Sequence, residues 1–166
     1  RLLDLVEAAS YSPFMTVNAS VAALTRSINS EDPLTIIIDE ADTIFGKGKS
    51  SDSKEELRGI INAGFQRGRN YTRFNMNSQT VEVYETFAMA ALASIGNLPD
   101  TIMDRAVVIR MRRRANGQQV SPYRSRRDGP SIVDLGRRVR ESLRPHLGEL
   151  AESEPPMPVE DRAADT

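Results

Sequence analysis

The stretch Leu34-Thr35-Ile36-Ile37-Ile38-Asp39-Glu40-Ala41-Asp42 decides the fold class. Its apolar residues run together instead of alternating, and the run ends in acids. A continuous apolar run is what a strand buried on both faces of a parallel sheet requires. Helical and strand-like segments alternate around it. Residues 1–10 predict a helix with Leu2, Leu5, Val6 and Ala9 on one face. Residues 14–18 read as a short strand, and Asn18 or Ser20 caps a helix carrying Val21, Leu24 and Ile28. Downstream, Ser53 and Glu56 form a capping box before a helix with Leu57, Ile60, Ile61 and Phe65 inward. The segments 70–75 and 80–85 flank the turn-rich "MNSQ" and predict a hairpin. "TFAMAALASI" at 86–95 and "AVVIRMR" at 106–112 read as two further strands. Ser131 with Asp134 caps a helix striped by Ile132, Leu135, Val139 and Leu143; Pro145 breaks it, and a short helix 146–153 comes after. The whole predicts an α/β parallel sheet flanked by helices.

Composition narrows the chemistry. The chain of 166 residues has no cysteine and one histidine, His146. That excludes a disulfide framework, Cys-ligated zinc, a thiol nucleophile and a multi-His metal centre. No apolar run reaches the roughly 18 residues of a membrane span, and no signal-peptide pattern is present; the expectation is a cytoplasmic protein with no membrane partner. The net charge of −1 conceals an asymmetry. Residues 105–144 hold twelve arginines against Asp128, Asp134 and Glu141, whereas residues 149–166 hold six acids against Arg162. The pattern is a folded body, a basic segment and an acidic tail. Met76, Met89, Met103 and Met111 are expected as core fillers, and His146 as structural.

The candidate site is Asp39-Glu40. Ligands of open α/β sheets bind at the carboxyl ends of the strands, and adjacent carboxylates there are costly unless they serve a cation or a proton transfer. Four apolar residues before Asp-Glu suit a nucleotide hydrolase: Asp39 for Mg²⁺, usually through water, and Glu40 for the attacking water. The plain alternative is a strand that ends in solvent. Asp42 would support the Mg²⁺ shell or cap the turn at 42–46. A two-metal nuclease built on Asp39, Glu40 and Asp42 is a further alternative.

"TIIIDEADTIFG" at 35–46 resembles the Walker B segment of AAA+ ATPases. "AALASIGNLPDTIMDRAVVIRMRR" at 90–113 resembles the next two elements of that family. The resemblance implies a nucleotide sensor at Ser94 or Asn97, and an arginine finger at Arg105, where clamp-loader-type ATPases show a similar pattern. A finger acts in trans and implies a homo-oligomer. A salt bridge from Arg105 to Asp104 or Asp100 is the structural alternative, as is a turn role for Asn97 before Pro99. Over nearly the whole chain, the wider run also resembles the DUF3631 family of actinobacterial prophages and mobile elements, often found beside primase-like domains. The implied fold is P-loop NTPase-like, with an ATPase core over 1–130 and part of a helical lid with an acidic tail over 131–166. The implied cofactors are ATP and Mg²⁺, and the implied work is on DNA.

One element of that pattern is missing. No G-x-x-x-x-G-K-[ST] phosphate loop occurs in the sequence. "GKGKSS" at 46–51 comes after the acidic strand and lacks the first glycine. The opening helix suits the position directly after a phosphate loop, so the expectation is an ATPase module lacking its first strand and loop, and binding little ATP alone. A degenerate, non-catalytic module that binds nucleic acid or a protein partner is the other reading. On a strand, Arg110, Arg112 and Arg114 would share one face. With Arg124, Arg126 and Arg127 they form a candidate phosphate-binding patch, or else a solvated basic surface.

Overall fold

The computed structural model describes residues 2–17, 19–29, 34–46, 51–154 and 156. Three parallel strands form the central sheet: β1 (Pro13–Thr16), β2 (Thr35–Ile38) and β5 (Met89–Leu92), in the order β1-β2-β5. Ile38 stands between Thr16 on one side and Leu92 on the other. The central position explains the continuous apolar run, since Ile36, Ile37 and Ile38 are all buried. The fold class is therefore mixed α/β, with a small parallel sheet flanked by helices.

Helix α1 (Leu2–Ala9) precedes β1, and α2 (Val21–Ile28) crosses from β1 to β2. Ser20 caps α2, its Oγ accepting the Ala23 N–H at 3.2 Å; Asn18 lies outside the described residues. Val21, Leu24 and Ile28 are buried as their spacing predicts, and Thr25 joins them by donating its hydroxyl to the Val21 carbonyl at 2.9 Å. A short turn of helix, α3 (Asp42–Phe45), comes after β2, and α4 (Asp52–Ala63) brings Leu57 and Ile60 into the same core. The hairpin of β3 (Asn70–Asn75) and β4 (Thr80–Glu85) is antiparallel, with Phe74 opposite Val81. Asn29 fastens it to the end of α2: its amide donates to the Glu85 carbonyl, and its oxygen accepts the Glu85 N–H.

Several expectations are corrected. The predicted face of α1 is rotated, because Leu3 is the buried residue while Leu2 and Ala9 are exposed. Ser53 lies inside α4 and caps nothing; the N-cap is Ser51. Phe65 stands beyond the end of α4, whose C-cap is Gly64. Residues 107–115 form no strand, and Val107, Val108 and Ile109 are exposed. Apolar β-formers need a partner strand to close a ladder, and among the described residues the outer edge of β5 carries none. Without a strand, the proposed one-face alternation of Arg110, Arg112 and Arg114 does not hold. Met76, Met89 and Met111 are exposed and are not core fillers.

Helix α6 (Ser125–Leu143) begins six residues before the predicted Ser131 start, with Pro130 in its second turn. The Asp128 carboxylate accepts the Arg124 N–H at 2.7 Å and so satisfies the start of the helix. The helix crosses α1 at Gly136, where a Cβ would stand 2.7 Å from the Ala8 carbonyl oxygen. Arg140 adds a bond to the Ser10 carbonyl at 3.0 Å. A 3₁₀ turn (Arg144–His146) holds Pro145 and leads into α7 (Leu147–Ala151). Most of the acidic tail, residues 155 and 157–166, and loop residues 47–50 lie outside the described residues.

Candidate functional site at the carboxyl ends of β2 and β5

The parallel register places Asp39 and Glu40 at the same sheet end as Ala93 and Ser94. The strands stay paired to that end: Ala93 donates to the Ile38 carbonyl at 2.9 Å, and Ala41 to the Ala93 carbonyl at 2.8 Å. Asp39 and Glu40 are both exposed, directly beyond three buried isoleucines. The Asp39 Oδ1 accepts the Glu40 N–H at 2.9 Å. Glu40 adopts φ 54°, a left-handed conformation that is uncommon for a residue with a side chain. Strained backbone of this sort is concentrated at functional sites. The strain here turns the chain sharply as it leaves the sheet and displays both carboxylates to solvent.

Asp42 does not cap its own turn. Its Oδ1 accepts the Ile95 N–H at 3.3 Å and so ties the turn after β2 to the turn after β5. Ser94 is half-buried at that junction, its hydroxyl donating to the Gly96 carbonyl at 3.3 Å. Asn97 is exposed, and its side-chain oxygen accepts from Arg110 Nη1 at 3.5 Å. Of the two sensor candidates, Ser94 leaves β5 beside the acidic pair, and Asn97 stands further along the loop.

The donor set can be tested against Mg²⁺. An exposed Asp at a strand end, with one oxygen engaged by its neighbour's amide, matches the hard, mostly water-mediated ligation that Mg²⁺ prefers. Asp39, Glu40 and Asp42 do not converge as a direct cage; among the described residues no group of three His, Cys, Asp or Glu is placed to hold a metal ion. Among the described residues, these carboxylates form no protein-only two-metal centre.

Arg105 lies just beyond α5 (Asp100–Met103) and pairs with neither Asp104 nor Asp100. Its guanidinium lies 4.7 Å from the Phe65 ring centroid, and Nη1 donates to the Thr101 carbonyl. Its Nε is buried without a hydrogen-bond partner. The side chain is thus shelved on a residue just past α4, an anchor that sequence reading missed because Phe65 looked like part of a helix face.

Within the arginine segment, some guanidinium groups form no ion pair and others are held by carboxylates. Arg110, Arg112 and Arg114 are exposed on the irregular stretch, and Arg126 is exposed on the first turn of α6. Arg124 is the N-cap residue of α6. Arg127 is engaged: Nε and Nη2 donate to the Asp128 carboxylate at 2.6 and 2.9 Å, and Nη2 also to the Pro122 carbonyl. That pairing holds the Asp128 carboxyl below its ordinary range. Arg137 is similarly held by Asp134 and Glu141. His146 pairs with Glu149 at 3.2 Å, in keeping with a structural role. Among the described residues, no helix is long and apolar enough to cross a membrane.

Comparison with known proteins reaches the second half of this picture. An uncharacterized 28.9 kDa protein in the xis 5′ region of Saccharopolyspora erythraea is 50% identical over 56 residues, which is 34% of this chain and 21% of that protein. The chain thus spans about a fifth of the length of the curated relative it matches. No solved structure matches. The family model of DUF3631, described as a protein of unknown function, matches residues 110–166. The match takes in the arginine segment, α6 and α7, and stops short of Asp39, Glu40, Ser94 and Arg105. The similarity to DUF3631 is thus confined to residues 110–166.

Proposed function

We propose that this chain is the acidic-strand portion of a Mg²⁺-dependent, AAA+-like ATPase that acts on DNA in a mobile element. The observation that carries the reading is the meeting of Asp39-Glu40 with Ser94 at one end of a parallel sheet, joined by the Asp42 bond to Ile95. In the proposed enzyme, Asp39 would hold Mg²⁺, and Glu40 would orient and deprotonate the water that attacks the γ-phosphate. Bound Mg²⁺ would neutralise charge on the phosphate oxygens. Ser94 senses the γ-phosphate or the water by its hydroxyl. Arg105 serves nucleotide held by a neighbouring copy, which makes the working form an oligomer.

The open edge of β5 supports the same reading. One further parallel strand placed there would carry the phosphate-binding loop, and would offer its far side to the apolar residues 106–109. The arginines at 110, 112, 114, 124 and 126, with Arg127 tied to Asp128, supply the DNA-facing charge.

The decisive experiment substitutes Glu40→Gln in the protein that includes the phosphate loop. Hydrolysis is expected to fall at least a hundredfold while nucleotide binding is kept. Unchanged turnover would refute the hydrolytic role and leave the non-catalytic binding module in its place. Residues 1–166 alone are expected to bind ATP weakly in calorimetric titration; tight Mg²⁺-dependent binding would remove the need for an added loop.

A further inference from the structure

The four-residue helix α3 carries the acidic turn on its leading edge. The Glu40 carbonyl accepts the Thr43 N–H at 2.9 Å, and the Asp42 carbonyl accepts the Gly46 N–H at 2.7 Å. Isolated helices shorter than roughly 12–15 residues are marginal in water, and the last carbonyls of any helix lack partners within it. Two cations of α4 supply those partners. Lys54 Nζ donates to the Thr43 carbonyl at 2.7 Å. Arg58 spans two more carbonyls, with Nε donating to Ile44 at 2.7 Å and Nη2 to Gly46 at 3.1 Å. Its remaining nitrogen, Nη1, donates to the Glu55 carboxylate one turn back on α4 at 2.6 Å. The guanidinium is therefore fixed by its own helix on one edge and grips α3 with the other, and the Arg58 side chain is only 21% exposed.

We propose that Arg58 is a positioning residue for the acidic turn: by tying the end of α3 to α4, it sets where Glu40 stands at the strand end. Ile44 and Phe45 are buried in the core with Leu57 and Ile60. That burial fixes the depth of α3, but apolar contact has no direction. The planar fork of an arginine does, because its donors are held at fixed angles to one another. Charge-assisted bonds to two carbonyls of one short helix thus set the rotation of that helix. The rotation is passed to Glu40 through the Thr43 bond. The consequence for catalysis rests on the hydrolytic reading proposed above; the hold of Arg58 on the turn does not.

Two measurements test it. In residues 1–166, amide hydrogen exchange followed by NMR is compared at Thr43 and Gly46, which bond within the turn, and at Ala93, which bonds across the sheet to Ile38. Arg58→Ala is expected to speed exchange at Thr43 and Gly46 at least about tenfold and to leave Ala93 within about twofold. In the protein that includes the phosphate loop, the same variant is expected to lower kcat at least about tenfold with KM for ATP unchanged, because a displaced Glu40 fails the attacking water and not the bound nucleotide. Arg58→Lys keeps the charge but cannot span both carbonyls. It should fall between the parent and Arg58→Ala in both measurements, and it keeps the test open if Arg58→Ala does not fold. Equal acceleration at Ala93 would make Arg58 a general stabiliser of the fold and overturn the proposal. Unchanged exchange at Thr43 and Gly46 would overturn it as well, leaving Ile44 and Phe45 to hold the turn alone. If exchange changes as expected but Arg58→Ala keeps full kcat while Glu40→Gln loses it, the catalytic consequence is refuted and the hydrolytic reading stands. If Glu40→Gln also keeps full turnover, the hydrolytic reading falls, and the exchange result alone upholds or overturns the hold of Arg58 on the turn.

Discussion

The Asp42 carboxylate accepts the backbone N–H of Ile95 across 53 residues of sequence, at 3.3 Å. This bond joins the turn that displays Asp39 and Glu40 to the turn that displays Ser94, so it sets the spacing of the candidate site without touching a ligand. Asp42→Ala is expected to cost about 1 kcal/mol in urea unfolding, the ordinary net value of one hydrogen bond. Asp42→Asn, which keeps an acceptor oxygen, should recover most of it. Equal loss in both variants would show that the bond does not hold the two turns together.

Glu40 has a testable conformational signature. A residue with a Cβ in the left-handed region carries a cost of about 1–2 kcal/mol that glycine avoids. Glu40→Gly is therefore expected to be more stable than Glu40→Ala by about 1 kcal/mol, in thermal or urea unfolding. That difference would show that the left-handed turn at position 40 costs stability whenever a Cβ is present. If Glu40→Ala proves the more stable, the turn is not strained and that argument is withdrawn.

The sheet was legible because its central strand is buried on both faces, so that Ile36, Ile37 and Ile38 needed no alternation. The same local chemistry misled at Val107–Ile109. Side-chain pattern records what a strand would bury, while hydrogen bonding decides whether the strand forms, and that depends on a neighbour. The start of α6 was obscured by Gly129-Pro130, which reads as a break; the Asp128 bond to Arg124 lets the helix begin earlier and carry the proline in its second turn. The position of Asp39 and Glu40 at a strand end was legible because strand ends and acids are local signals, whereas Ser94 and Asn97 were singled out by the resemblance to AAA+ ATPases. The Asp42–Ile95 bond and the Phe65 shelf under Arg105 were not, because each joins segments about 40–50 residues apart by geometry alone.

The α1–α6 crossing makes a sharper prediction. A Cβ at Gly136 would meet the Ala8 carbonyl oxygen at 2.7 Å and the Ala9 Cα at 3.0 Å, both backbone atoms that cannot rotate away. Gly136→Ala is expected to destabilise by about 1–3 kcal/mol despite the better helix propensity of alanine. The Arg140 bond to Ser10 should weaken with it, as the helices part. A stabilised Gly136→Ala, measured by thermal unfolding, would mean that α6 does not seat on α1 at this point.

The hairpin network predicts two opposed pH dependences from one pair of groups. The Asn75 amide and then the Tyr84 hydroxyl, both donating to Glu82, hold its carboxyl below the ordinary glutamate range, with Arg73 and Arg26 adding a smaller pull. Because the folded value is depressed, this contribution is complete above the ordinary carboxyl range and is lost as pH falls through the lowered value. Tyr84 moves the other way. Its bond to Glu82 comes first and desolvation second in holding the phenol above its ordinary value. That contribution is complete below the ordinary phenol range and is lost as pH rises through the raised value. Glu82→Gln should therefore flatten the acid limb of the hairpin's stability and return the Tyr84 titration toward an ordinary phenol, as tracked by NMR. An amide still accepts a hydrogen bond but carries no charge, so the variant separates the ionic part of the network from its geometry. A Tyr84 titration that stays fully raised in Glu82→Gln would assign the shift to desolvation and remove Glu82 as its cause.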